Sequence, residues 1–216
     1  MAKQLIVSAP LEAQLGGAST DAVISRRSPY SAVKPGLDWI VGVLLLLLAL
    51  PLMMLIAAAI RLDTPGPALF RQQRIGRGGE PFTIYKFRTM VVGAPAYASK
   101  IPCSDPRVTR VGRWLRLAGL DELPQLLNVL KGEMSLIGPR PEMAFIVDAY
   151  DSWQRRRLSL RPGITGWWQI HHRNEVPMHL NLEFDLYYLE HFSFWLDVRI
   201  VGATIGLMAG GLFRTG

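Results

Sequence analysis

The side chains best suited to chemistry lie between Arg116 and Glu142, in the stretch RLAGLDELPQLLNVLKGEMSLIGPRPE. An adjacent acid pair, Asp121 and Glu122, stands directly before Leu123, Leu126, Leu127 and Leu130, which recur on one face of a helix. Pro124 has no N–H and fits only the first turn of a helix, so the helix is predicted to begin close to Asp121. Both carboxylates then sit where free backbone N–H groups and the positive dipole end favour negative charge. After Lys131-Gly132 comes Gly138-Pro139-Arg140-Pro141, a rigid corner that presents one guanidinium. Carboxylates and a helix N-terminus opposite fixed arginines suit magnesium and phosphate chemistry. Taken alone, the pair would read as an N-cap and a solvated first-turn residue. The rest of the chain weighs against that.

Basic residues approach the pair from two directions. In DPRVTRVGRWLR, Arg107, Arg110, Arg113 and Arg116 recur every third residue, a slowly drifting stripe on a predicted helix. The stripe leads into Asp121, which places Arg116 within reach of whatever the acid pair binds. Upstream, ALFRQQRIGRGGEPFTIYKFRTM predicts a β-hairpin closed at Arg77-Gly78-Gly79. In its second strand Phe82, Ile84, Lys86 and Arg88 share one face. The glycine-rich turn has no Walker lysine and is weak evidence for phosphate binding.

Leu37 to Ile60 is an apolar block broken only by Asp38. At ~1.5 Å per residue it is long enough to cross a ~30 Å hydrocarbon core. Pro51 falls inside it and predicts a kink. Basic residues also flank both sides: Arg26, Arg27 and Lys34 before it, Arg61, Arg71, Arg74 and Arg77 after it. A spanning helix shows that excess on one side. A helix that enters, bends and returns keeps both flanks on the same side. On these residues alone, spanning and re-entrant readings stand level. Phe145 to Leu160 predicts a further helix, RPGITGWWQI a rigid turn before Trp167-Trp168, and Ile200 to Phe213 an interfacial or core helix. The tryptophan pair suits either a headgroup interface or core packing.

The chain of 216 residues is half hydrophobic yet carries Lys+Arg 24 against Asp+Glu 17. That balance points to an anionic membrane surface or a phosphorylated substrate. Nucleic acid fits the charge, but no aromatic stacking platform or reader motif accompanies it. The single Cys103 allows no internal disulfide, and four histidines without zinc-site spacing argue against transition-metal chemistry.

The segments YKFRTM, DPRVTRVGRWLR, LDELPQLLNVLKGEMSLIGPRPE, RPGITGWWQI and FDLYYLEHFSFWLDVRI resemble, in order and spacing, the bacterial sugar transferase family, over about residues 34 to 205. Its members are monotopic phosphoglycosyl transferases. The resemblance implies transfer of a sugar 1-phosphate from a UDP-sugar to undecaprenyl phosphate with release of UMP, initiating exopolysaccharide, O-antigen or capsule-type glycans. It implies Mg2+ on Asp121 and Glu122, a phosphosugar-aspartyl intermediate on Asp121, and assistance from Glu122. It assigns phosphate contacts to Lys86, Arg116 and Arg140, and more weakly to Arg88 and Arg161. Three positions depart from the family pattern: Leu50-Pro51 for Ser-Pro, Gly119-Leu120 for Ser-Leu, and His172-Arg173-Asn174 for Gly-Arg-Asn.

The expected fold is α+β and mainly helical. A mobile tail (1–33) precedes a re-entrant membrane helix broken at Pro51 (34–61). A cytoplasmic catalytic domain (62–216) follows, with a small β-hairpin and interfacial amphipathic helices. The expected place is the cytoplasmic face of the bacterial inner membrane, in contact with lipid, without nucleic acid and with a homodimer left open. A glycosyltransferase moving sugar without phosphate and a catalytically inactive scaffold of a polysaccharide assembly complex are the rival readings.

Overall fold

The apolar block folds as one helix, α1 (Tyr30–Asp63), which runs on through both Pro35 and Pro51. The computed structural model describes residues 29–95, 101–172 and 182–213; residues 1–28 of the expected tail lie outside these, and 30–33 belong to α1. Both ends of α1 are packed on the remainder of the chain, and its middle is not. Near its start, Lys34 Nζ donates to Asp197 Oδ2 at 2.6 Å and lies 3.4 Å from Asp38 Oδ1. Asp38 Oδ2 accepts from Ser135 Oγ at 2.6 Å, and Tyr30 and Tyr188 hydroxyls donate to Asp197 at 2.7 and 2.6 Å. All charges in this network are buried and paired, the condition under which ionised groups tolerate burial. Near its end, Ile56 and Ile60 join Ala68, Phe87 and Leu115 in a core. Between these anchors Leu44, Leu47 and Leu55 are exposed, and Leu48 is 80% exposed. Thr64, in extended conformation, ends the helix.

The hairpin forms where the alternation predicts it: β1 (Leu69–Ile75) pairs antiparallel with β2 (Pro81–Phe87), with Phe70 opposite Lys86. Gly78 and Gly79 supply the positive φ of the turn. Phe82 and Ile84 point inward against Val129 and Met134. Next, α2 (Arg110–Ala118) starts at Thr109, whose hydroxyl accepts from Gly112 N, and stops at Gly119 with φ 69°. The four-arginine stripe is therefore cut. Arg107 precedes the helix and is paired with Asp105, leaving Arg110, Arg113 and Arg116 on it.

The helix expected to open at Asp121 is instead a 3-10 turn, Leu120–Gln125, continued by α3 (Leu126–Leu130). Gly119 occupies its N-cap position, and Asp121 caps nothing. Asn128, fully buried, ties α3 to the hairpin by accepting from Tyr85 N at 3.2 Å and donating to Thr83 O at 2.7 Å.

The predicted rigid turn after Arg161 contains a strand. β3 (Ser135–Ile137) runs parallel to β4 (Gly163–Thr165). Glycines let the two backbones touch: a Cβ on Gly163 would sit 2.1 Å from Gly138 N, and one on Gly166 2.2 Å from Gly138 O. Gly163→Ala is therefore expected to cost ~1–3 kcal/mol, or more if the backbone cannot shift, read as a lower melting temperature. The single helix expected over Phe145–Leu160 is three short pieces: α4 (Ala144–Asp148), α5 (Ser152–Arg155) and a 3-10 turn Arg156–Ser159. Asp151 interrupts it by starting a new helix in a capping box with Gln154.

The chain closes with α6 (Trp167–His172), α7 (Glu183–Glu190) and α8 (Phe194–Phe213). Both tryptophans of the pair are buried, so core packing wins over the headgroup reading. Leu196 and Ile200 at the start of α8 pack with Trp167, Tyr188 and Ile137. The fold is mainly helical, with two small two-stranded sheets and one long apolar helix near the start.

Candidate active site

The 3-10 turn places Asp121 and Glu122 at the edge of a cleft of about 2420 Å³, into which Lys86, Arg116 and Arg140 also project. Each comes from a different element. Lys86 is carried by β2, Arg116 by the last turn of α2, and Arg140 by the proline corner that follows β3. The corner is rigid because prolines flank Arg140 and Gly138 is pressed against Gly163 and Gly166.

The two acids of the pair are treated differently. Lys86 Nζ donates to Glu122 Oε1 at 2.7 Å, and Arg140 Nη2 donates to the same oxygen at 3.1 Å. Asp121 has no hydrogen-bond or ion-pair partner among the described residues. The electrostatics follow. Despite burial, the Lys86 and Arg140 cations hold the Glu122 carboxyl well below the usual carboxylate range. Burial and the neighbouring Glu122 charge push Asp121 up, against the pull of Lys86, Arg140 and Arg116. The expected stabilisation of the Asp121 anion by a helix N-terminus is thus outweighed. Burial lowers Lys86 despite its Glu122 partner. The pair is one clamped carboxylate beside one uncommitted one.

The other sequence candidates take different places. Arg116 donates from Nε to Thr89 Oγ1 at 2.9 Å and from Nη1 to Ile101 O at 3.3 Å, which aims it along the cleft. Arg88 spends its two terminal nitrogens on Pro65 O and Thr64 O, fastening the exit of α1. Arg161 lines a second cavity, about 230 Å³, beside Lys34, Asp38 and Ser135. Arg173 and Asn174 of the departing motif lie outside the described residues.

Sequence reasoning missed the support beneath Arg140. Arg157 and Asp185 form an ion pair of 2.5 Å with side chains 2% and 1% exposed. The same Arg157 Nη2 donates to Arg140 O at 2.5 Å, and Nη1 reaches Tyr150 Oη at 3.1 Å. The one available signal was Asp185, an acid inside the apolar run FDLYYLEHF.

As a cation site, the arrangement offers hard oxygen donors only. No group of three or more His, Cys, Asp or Glu side chains that could hold a metal occurs among the described residues. Two carboxylates fit magnesium, which completes its octahedron with water and substrate phosphates. Glu122 Oε2 lies outside the contacts to Lys86 and Arg140, and both Asp121 oxygens are uncommitted.

The chain matches the family described as bacterial sugar transferase over residues 29–211. It is 43% identical over 189 residues to UDP-N-acetylgalactosamine-undecaprenyl-phosphate N-acetylgalactosaminephosphotransferase of Aeromonas hydrophila, covering 84% of this chain and 45% of that protein. It is 45% identical over 179 residues to UDP-glucose:undecaprenyl-phosphate glucose-1-phosphate transferase of Caulobacter vibrioides, covering 78% of this chain and 67% of the relative. It is also 42% identical over 160 residues to the uncharacterized sugar transferase EpsL of Bacillus subtilis, covering 73% and 79%. The chain thus spans less than half the length of the Aeromonas relative. With its motifs in family order and the match extending from α1 into α8, the chain belongs to the bacterial sugar transferase family.

Proposed function

We propose that this chain transfers a sugar 1-phosphate from a UDP-sugar to undecaprenyl phosphate and releases UMP. The observation that carries the reading is the division of labour in the acid pair. Glu122 is neutralised by Lys86 and Arg140, and Asp121 is left without a partner in the same cleft. An Asp121 oxygen attacks the phosphorus that bears the sugar. The bond from that phosphorus to the bridging oxygen breaks, and UMP leaves with the electron pair. An oxygen of undecaprenyl phosphate then attacks the phosphosugar-aspartyl phosphorus, freeing the Asp121 carboxylate. Splitting the exchange in this way is ordinary covalent catalysis. Lys86, Arg116 and Arg140 offset the phosphate charge and hold the reacting groups in line. Asp121 and Glu122 would hold magnesium, which when bound neutralises diphosphate charge.

A UDP-sugar panel incubated with undecaprenyl phosphate tests the reading: UMP as product supports it. UDP as product would make the chain a glycosyltransferase, and no turnover would make it a scaffold. Because Asp121 must be ionised to attack, activity is expected to fall on the acid side at a pH above the ordinary aspartate range. Glu122, held low, adds no limb there. An acid limb at the ordinary aspartate position would mean that cations bound with the substrate offset this shift, and the absence of any acid limb would remove the nucleophile assignment.

The reading extends to topology: α1 enters the bilayer, bends at Pro51 and returns to the cytoplasmic face. In its support, Lys34 and Asp38 near one end and Ile56 and Ile60 near the other pack on one body, while Leu44, Leu47, Leu48, Leu50 and Leu52 are exposed between them. A contiguous exposed apolar surface of this kind requires an apolar environment. Ser19→Cys and Thr215→Cys, each in a Cys103→Ser background, should be labelled from the same side of the membrane. Opposite sidedness would mean a spanning helix.

A further inference from the structure

Two residues that line the large cleft carry buried polar atoms without a partner: Gln169 at Oε1 and Nε2, and its neighbour Trp168 at Nε1. Both residues sit on α6 and are 7% exposed. The other orphaned atoms among the described residues differ in kind. Each of those is a single buried atom of its residue: Nε2 of Gln125, Nε of Arg88, Oγ1 of Thr64 and Oδ1 of Asp185. Gln169 is orphaned at donor and acceptor together. Buried polar groups are nearly always paired, so such an exception in a substrate cleft points to a ligand-reading role.

Its position fits. Gln169 Oε1 lies 2.9 Å from where a Cβ on Gly166 would stand, and Gly166 is packed on Gly138 O. Gly138 leads directly into Pro139-Arg140, whose guanidinium holds Glu122. The amide is therefore one glycine contact away from the corner that faces the acid pair.

We propose that the Gln169 side-chain amide, with Trp168 Nε1–H beside it, reads the imide edge of a uracil base. This rests on the UDP-sugar reading above and names how the donor's base is recognised. A primary amide offers an N–H and a C=O on one edge. It pairs twice with a ligand edge that carries an acceptor and an N–H donor side by side, as uracil does at N3 and its flanking carbonyls. A sugar acetamido group is a trans secondary amide whose N–H and C=O point apart, and a hydroxyl pairs once. Trp168 Nε1–H adds a donor for a further carbonyl or hydroxyl. Neither Gln169 amide atom reaches solvent, so the side chain swings toward the cleft on engagement, a change of the size that binding commonly brings.

The test uses the full chain in lipid nanodiscs, with UDP and N3-methyl-UDP as titrants. Methylation removes the imide N–H; cytosine would be a poor control, since a glutamine amide can flip to match it. Wild type should prefer UDP to N3-methyl-UDP. Gln169→Leu should bind UDP roughly 10- to 100-fold more weakly, as two lost hydrogen bonds predict, and should no longer distinguish the two ligands. Leucine removes orphaned polar atoms, so without nucleotide the variant should melt no lower than wild type. A lower melting temperature would mark Gln169 as structural and overturn the inference. Unchanged UDP affinity, or a retained preference over N3-methyl-UDP, would overturn it as well. If wild type neither binds UDP nor releases UMP from any UDP-sugar, the donor reading falls together with it. If wild type does both and Gln169→Leu binds UDP normally, only the present inference falls.

Discussion

Asp121→Asn is expected to abolish UMP release even without lipid acceptor, and at the same time to raise the melting temperature at neutral pH. The first effect follows because an amide cannot form the phosphosugar-aspartyl bond. The second follows from the direction of the Asp121 shift. Burial and Glu122 raise its folded-state pKa above the unfolded value. A raised carboxyl contributes stability that is fully present below the unfolded pKa and is lost as pH rises through the folded one. At neutral pH the buried anion is therefore a cost, and the neutral amide relieves it. Asp121→Glu keeps the charge but moves the oxygen by a methylene, and a ~1 Å misplacement can cost ~100-fold in rate. A radiolabelled donor should leave an adduct on the wild-type peptide containing Asp121. UMP that appears only with acceptor present, and no adduct, would replace this route with direct transfer.

The second large effect lies away from the reacting atoms. Arg157→Met should lower stability by ~3–5 kcal/mol, since it strands Asp185 in the interior. For a chain of this size that is a fall in melting temperature on the order of 10 °C. Adding Asp185→Leu should recover most of the stability, because a buried pair replaced by apolar side chains is often neutral. It should not recover turnover. Arg140 O has still lost the donor that holds it at 2.5 Å, so the guanidinium over Glu122 is no longer positioned. Full recovery of both stability and rate in the double variant would show that Arg157 does not position Arg140.

These two cases also mark what could be read from the sequence. The acid pair and the proline corner are written in local chemistry: adjacent charges, residues without N–H, and a helix-period run behind them. Lys86 was legible for the same reason, since strand alternation alone aims it. The fate of Arg88 was not, because the carbonyls of Thr64 and Pro65 that claim it become neighbours only after folding. Arg157 and Asp185, like Lys34 and Asp197, are partners across long stretches of chain that no periodicity connects. β3 and β4 have three residues each, too few for alternation to register, and their pairing depends on glycine backbones in contact. The 3-10 start beneath Asp121 was hidden as well, because Pro124 is compatible with the first turn of either helix type.

The fastening of α1 sets an order of events during synthesis. Lys34 is made early, and Asp197, which it meets at 2.6 Å, stands 163 residues later. At ~5–20 residues per second the ribosome needs on the order of 10–30 s to bridge that separation. Through this interval the apolar segment has already emerged, while Lys34 has Asp38 beside it but still lacks Asp197. Nascent chains arrested before α8 should therefore hold the start of α1 loosely and remain open to protease at that point. Chains released after α8 should close it in one step.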